Sequence, residues 1–331
     1  MHAHTLSALL VLAGTMLISP SQAQTGAPPI KIKQGILNVA PIAPLFALPE
    51  FAKKHGLEIE FVTFQRFADA RTALATGDID ATPFGPQDIS LALAQGTRSM
   101  VGVMGVANGG DCIVVRKGED ITEWKALIGK SVGVGAGSIS WLKFAASVQE
   151  ANVPYSQLKI VNIMGGGTNY TRALQAKEID MAVVWQPFCA QAVLQGFGAY
   201  PTVDHNKSKM VGGMVAVIGV NRSFMEKNRD ATQRLVNAYV DTLNYFKQDR
   251  PRWAGIFGEK SGLPQDVATA AISFTTLDET LPLQSIKRVT KYLADNGIVT
   301  KDVSAELDGS YTYEFLAKAT GKTPQQLGLD K

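Results

Sequence analysis

The sequence predicts an α/β protein of two similar lobes with a cleft between them. Three observations carry that expectation. Short apolar segments are followed repeatedly by a polar or glycine-rich loop and then a helical pattern, which is the signature of a mostly parallel sheet covered by helices. The plan occurs twice, before and after residue 111. A length of 331 residues suits two domains, and 46% hydrophobic with 18% charged residues excludes a disordered chain or a coiled coil. A net charge of +3 without a run of like charge gives no basic stripe, so nucleic acid is not an expected partner.

In chain order, the first unit begins with a strand over 31–38, then Pro41 and Pro44 and a helix to Lys54 that Gly56 stops. Residues 57–64 alternate cleanly as a strand. Gln65, Arg66, Phe67, Ala68 and Asp69 then read as a polar loop, with Asp69 capping a helix that ends at Gly77. A strand over 79–82 enters Pro83, Phe84, Gly85 and Pro86, and a helix over 87–94 follows. The second unit has strands over 112–116, 131–134, 159–163 and 179–184, with helices over 124–128, 141–150 and 169–176. A repeat is visible in the residues themselves: Ala73, Leu74, Ala75, Thr76, Gly77, Asp78, Ile79, Asp80 is echoed by Ala173, Leu174, Gln175, Ala176, Lys177, Glu178, Ile179, Asp180. After a strand over 215–220 the pattern is helical at 224–246, 254–257, 265–273 and 283–296. That tail is expected to cover the first lobe. Lobe 1 is thus expected over 30–112 and 218–331 and lobe 2 over 116–215, with crossovers near 112–116 and 215–221.

Residues 1–23 read as an export signal: a polar start with His2 and His4, an apolar core over 6–18, Pro20, and small residues at Ser21 and Ala23 where signal peptidase needs them. The core is shorter than the roughly 20 residues that span a bilayer. Cleavage after Ala23 leaves a soluble, extracytoplasmic protein, with no cysteine after the cut to take a lipid. It also leaves two histidines, His55 and His205, each in a polar stretch expected at the surface. With Cys112 and Cys189 they give no metal-ligand spacing, so no metal or cofactor is expected. The compartment permits a disulfide between the cysteines, and two separate buried thiols fit equally.

Candidate binding residues lie just past the strand ends. Gly135, Ala136, Gly137, Ser138, Ile139, Ser140 stands between a strand and a helix, where backbone donors and hydroxyls suit an anionic or strongly polar group; Ser138 or Ser140 also suits the N-cap. Thr168 and Asn169, after Gly165, Gly166 and Gly167, occupy the same place one unit later, as contacts or as caps. Trp185, Gln186 and Phe188 put aromatic walls beside an amide. The first lobe offers Asn38, Pro41 and Ile42; Gln65, Arg66 and Phe67; and Gly85, Pro86 and Gln87. Arg66 is the cation nearest these mouths, free for an acidic ligand or paired with Asp69. No Ser-His-acid order or nucleophile elbow is present, which argues against an enzyme.

Together, Gly56, Leu57, Glu58, Ile59, the stretch 73–80, Ile128, Gly129, Lys130, Ser131, Val132, Gly133 leading to Gly137 and Ser138, and the stretch 173–180 leading to Trp185, Gln186, Pro187, Phe188 make a pattern. In that order it resembles the solute-binding proteins of ABC importers of the nitrate, sulfonate, taurine and thiamine-pyrimidine group, the NMT1/THI5-like family. The resemblance implies a type II periplasmic binding protein, a Venus flytrap that closes on solute as a monomer. It implies docking on a membrane permease with separate ATPase subunits, and ligand contacts from the loops just named. Many relatives carry Glu at the Gln186 position, and the neutral amide here weakens a taurine-like assignment. The cysteine cluster of the fungal pyrimidine-synthase branch is absent. The expected ligand is a small organic anion, a sulfonate or an aromatic or other carboxylate; a neutral or cationic heterocycle is the alternative.

Overall fold

The computed structural model describes residues 28–331, so the expected export segment 1–23 lies outside the described residues. Its strands are β1 (Ile30–Leu37), β2 (Leu57–Phe64), β3 (Ala81–Phe84), β4 (Met100–Gly109), β5 (Asp111–Arg116), β6 (Ser131–Val134), β7 (Lys159–Asn162), β8 (Met181–Trp185), β9 (Gly198–Ala199), β10 (Met214–Asn221) and β11 (Thr275–Leu277). They form a six-stranded sheet in the order β11-β4-β10-β3-β1-β2 and a five-stranded sheet in the order β7-β6-β8-β5-β9.

Each sheet has a parallel trio from its own βα units: β2, β1, β3 in the first and β7, β6, β8 in the second. Each trio then gains one antiparallel neighbour, β10 beside β3 and β5 beside β8. The sequence echo has a matching physical role in both. Asp80 accepts the Lys33 N–H of β1 at 2.8 Å, and Asp180 accepts the Ser131 N–H of β6 at 2.7 Å, so each carboxylate bonds the backbone of the strand beside the one it precedes.

The stretches expected to hold the crossovers are strands, as their patterns also indicate, and each lies within one sheet. Residues 112–116 belong wholly to the second sheet and 215–221 to the first. The chain passes between sheets at Gly110 and again just before Met214. Gly109 and Gly110 take φ of +74° and +85° there, a region that favours glycine. The two passages are bonded together, Gly109 N–H donating to the Gly213 carbonyl at 2.8 Å.

Residues of the tail pack in one core with the first sheet, in helices that differ from the pattern. Asn228 interrupts the expected 224–246 helix, giving Arg222–Lys227 and Arg229–Gln248. The short 254–257 pattern extends to Arg250–Ser261, capped by Asp249, which accepts the Arg252 N–H. Strand β4, ten residues long and between β11 and β10 in the first sheet, has no counterpart in the expected elements. Its glycines disguise it, and the packing requires them: a Cβ on Gly102 would stand 2.3 Å from the Tyr311 ring, and one on Gly105 would stand 2.0 Å from the Thr280 carbonyl oxygen.

One core surrounds the first sheet and runs without a break into Ile139, Leu142, Ala146 and Ala190 of the second lobe. Cys112 and Cys189 form a disulfide, Cα–Cα 6.3 Å, which ties β5 to the helix Phe188–Leu194.

His205 departs from its expected surface position. The short turn His205–Lys207, capped by Asp204, tucks the ring behind the passages, where it is 1% exposed. Burial holds the imidazole down to about 4; Asp111 and Asp204 oppose the shift and Lys143 adds to it. An unfolded histidine titrates near 6.5, so between about 6.5 and 4 the unfolded chain binds more protons. Stability is therefore expected to fall as pH drops through that window, at up to about 1 kcal/mol per pH unit. Urea midpoints at pH 7 and pH 5 test this, because His205→Gln should flatten the difference; an unchanged difference in the variant assigns the slope to other groups.

Candidate functional site

A cleft of about 230 Å³ opens between the two sheets. It is lined just beyond the C-terminal ends of β1, β2 and β3 on one side and of β6, β7 and β8 on the other, as expected for sheets of this type. Its wall is mostly apolar, including Leu37, Val39, Pro41, Phe67, Leu91, Ile139 and Ile163.

Two helices from opposite lobes begin at this cleft, Phe67–Thr76 and Ile139–Glu150. Their first N–H groups have no carbonyl four residues back, so both present partial positive charge. Ser138 is the N-cap of the second helix, accepting the Trp141 N–H at 3.2 Å while it lines the cleft. The first helix starts two residues before Asp69, which therefore sits in its first turn; Arg66 takes the cap position without a side-chain cap.

Ten of the expected residues come together in the cleft wall: Pro41, Gln65, Arg66, Phe67, Gly85, Gln87, Gly137, Ser138, Ser140 and Trp185. Seven others face elsewhere. Asn38 is exposed and donates to the Lys260 carbonyl, and Ile42 is buried in the first core. The Pro86 carbonyl accepts the Tyr311 hydroxyl. Thr168 and Asn169 are exposed, and the Asn169 amide donates back to the Met164 carbonyl at 2.8 Å. The Phe188 ring stands edge-on to Trp185 and against Gly167. Gln186 is fully buried and committed: its Nε2 donates to the Tyr200 hydroxyl at 3.0 Å and its Oε1 accepts the Ala190 N–H at 3.1 Å. Both ends of this amide are thus engaged inside the protein, away from the cleft wall. Ser140, though in the wall, donates its hydroxyl to Asp111.

Two buried polar atoms in the wall lack a protein partner, the indole Nε1 of Trp185 and the amide Oε1 of Gln87. Buried polar groups are normally satisfied, so these two stand out in the wall. Gln87 Nε2 also donates to the Gly137 carbonyl across the cleft at 3.4 Å, linking the lobes beside the space itself.

Sequence reasoning missed Arg71, Asp88, Asp111, Asn162 and Tyr170, all in the wall. Arg71 pairs with Asp88 at 2.6 Å, and Gly85 N–H donates to the same carboxylate at 2.7 Å. Burial pushes the Asp88 carboxyl up, with Arg71 and Gly85 opposing. Lys143 pairs with Asp111 at 2.6 Å, and both side chains are essentially inaccessible. Lys143 also donates to Asn206 at 3.1 Å and to the Gly213 carbonyl at 3.3 Å, so one ammonium ties both passages between the sheets. For Lys143 the sequence signal is a charge at a position the helical period puts inside, between Leu142 and Phe144.

Among the described residues no group of three or more His, Cys, Asp or Glu is placed to hold a metal ion. No described helix is long and apolar enough to cross a membrane.

Two sheets joined by paired passages, with a walled cleft at their strand ends, define a two-lobed solute-binding protein. The chain belongs to the NMT1-like family, whose model matches residues 25–254, more than half its length. It is 26% identical over 231 residues to the taurine-binding periplasmic protein of Escherichia coli (strain K12), covering 70% of this chain and 67% of that protein. In fold it is similar to the ligand-binding component of an ABC-type import system from Staphylococcus aureus, solved with zinc bound (TM-score 0.76, 17% identity, 88% and 100% of the two chains). The alkanesulfonate-binding protein SsuA of Xanthomonas axonopodis pv. citri, bound to MOPS, is as similar (TM-score 0.74, 16% identity, 87% and 99%). The desulfurization enzyme DSZB shares the fold at a TM-score of 0.65, 17% identity and 88% and 99% coverage, so function rests on the site and not on the fold.

Proposed function

We propose that this protein is the extracytoplasmic solute-binding component of an ABC importer and that it captures a small organic anion, a sulfonate or a carboxylate. The observation that carries this reading is the convergence of two helix N-termini from opposite lobes on one apolar cleft, with the Trp185 N–H unpaired inside it. Helix N-termini and an indole donor stabilise an oxyanion, and the apolar wall takes its organic part. The 26% identical taurine-binding relative supports the same chemistry. Among the described residues no histidine or cysteine lines the wall, and the Asp111 carboxylate beside the Ser140 hydroxyl is held by Lys143, which favours binding over catalysis.

In this reading the lobes follow the sheets, 30–109 with 214–331 as one unit and 111–207 as the other. Solute meets one lobe, closure buries it against the second, and a membrane permease with separate ATPase subunits recognises the closed monomer. Export by the segment ending near Ala23 puts the protein in the periplasm with its solute.

Native mass spectrometry of protein purified without added ligand, followed by calorimetry with sulfonates, carboxylates and pyrimidines, tests the ligand class. Retention of an anion supports the reading; retention of a neutral heterocycle replaces it. In the same calorimetry Trp185→Ala is expected to weaken binding at least about tenfold, the equivalent of roughly 1.4 kcal/mol. Unchanged affinity in a folded variant removes Trp185 from the binding surface.

A further inference from the structure

The anionic reading leaves open which side chain supplies the positive charge, and the hydrogen bonds separate the candidates. Three cations lie in or behind the wall. Lys143 is buried, with its ammonium engaged by Asp111, Asn206 and Gly213. Arg66 stands at the rim with its side chain 45% exposed, and Asp69 takes two of its donors, Nε at 3.0 Å and Nη2 at 2.6 Å. Arg71 differs from both. Its side chain is 19% exposed, it faces the cleft, and Nη1 alone is engaged, on Asp88 at 2.6 Å. Nε and Nη2 make no hydrogen bond to the described residues.

The carboxylates in the wall do not oppose an anion there. Asp88 has Arg71 on one oxygen and the Gly85 N–H on the other; Asp111 has Ser140 on one and Lys143 on the other. Each is 2% exposed. Asp88 therefore acts on the guanidinium as a fixed anchor, holding its plane while the remaining donors stay available. A planar fork fixed in advance binds a carboxylate or sulfonate through parallel hydrogen bonds and loses less freedom in doing so than a mobile side chain.

We propose that Arg71 is the residue that reads the anionic group of the solute, that Asp88 is its positioning residue, and that Arg66 is a rim charge of minor weight. The proposal rests on the anionic reading given above and assigns it a residue. Because Arg71 belongs to the first lobe and the start of the helix Ile139–Glu150 to the second, an anion held between them also couples binding to closure.

Calorimetry with ethanesulfonate, benzenesulfonate and benzoate on the full exported protein tests it. Arg71→Gln is expected to weaken the anions that wild type binds by about 30-fold, the worth of a charge-assisted hydrogen-bond pair. Arg66→Gln should change them by less than about threefold, as an exposed pair contributes little. Arg71→Lys should recover only part of the loss, because a point charge lacks the fork. Asp88→Asn removes a negative charge beside the site and should nonetheless weaken binding, because the fork loses its anchor, while the dependence on salt holds or rises; Arg71→Gln lowers that dependence. Arg71→Gln combined with Asp88→Asn leaves no bare buried charge and serves if the single variant fails to fold. A folded Arg71 variant that keeps wild-type affinity, or a larger loss from Arg66→Gln, overturns the assignment while the anionic reading stands. Wild-type protein that binds none of the three anions removes both.

Discussion

Replacing Lys143 with Met is expected to cost about 3–5 kcal/mol of stability, the usual effect of breaking a buried pair by removing one partner. The size follows from what is left behind. Asp111 would keep the Ser140 hydroxyl and lose its counterion in a site where both side chains are 0–1% exposed. The Asn206 side chain and the Gly213 carbonyl would lose their shared donor as well, leaving the two passages between the sheets tied by the Gly109–Gly213 backbone bond and by the Asn206 amide on the Asp111 carbonyl. Urea unfolding followed by circular dichroism measures the loss. Adding Asp111→Asn to the variant should restore a large part of it, because no bare charge then remains. A loss below about 1 kcal/mol in the single variant, or no recovery in the double, shows that the pair is not what holds the passages.

Removing the disulfide by Cys112→Ala with Cys189→Ala is the second large expectation. The bond closes a loop of 77 residues, for which the chain-entropy model gives about 4.5 kcal/mol, and measured losses for native bridges run from about 2 to 5. The effect should extend to binding. Cys189 lies on the helix Phe188–Leu194 that begins three residues after Trp185, so the bridge holds the ring and its neighbours against β5. Urea midpoints with and without reductant separate the causes. Wild type should shift on reduction and the variant should not, and a variant with the wild-type midpoint would falsify the claim that the bridge stabilises the second lobe.

Much of the architecture was legible because strand and helix periods are local. The βα units around 57–64, 131–134 and 179–184, the repeated stretch ending in Asp80 and Asp180, and the helical tail all follow from patterns of a few residues. Strand β4 was hidden because its glycines answer to Tyr311 and Thr280, some 200 and 170 positions away in the chain. The helix break at Asn228 was hidden by continuous amphipathic spacing across it.

The site divides along the same line. That loops at strand ends would face a ligand was readable from strand-loop-helix order, and ten expected residues meet in the wall. Which way each side chain turns was not readable. Gln186 follows Trp185 directly, yet one lines the cleft and the other is spent on Tyr200 and Ala190. Arg66 and Arg71 are five residues apart on one helix start, and only their partners, Asp69 at the rim and Asp88 within, distinguish them.

The chain alone thus determined two α/β lobes with strand-end loops facing a cleft, and an export signal that remains an expectation. It left open how the cysteines stand and placed His205 at the surface. Tertiary structure decided where the chain crosses, that the cysteines join, that His205 is inside, and which polar atoms in the cleft are without partners. Periodicity depends on neighbours a turn away, whereas burial and hydrogen-bond satisfaction depend on residues brought together from distant parts of the chain.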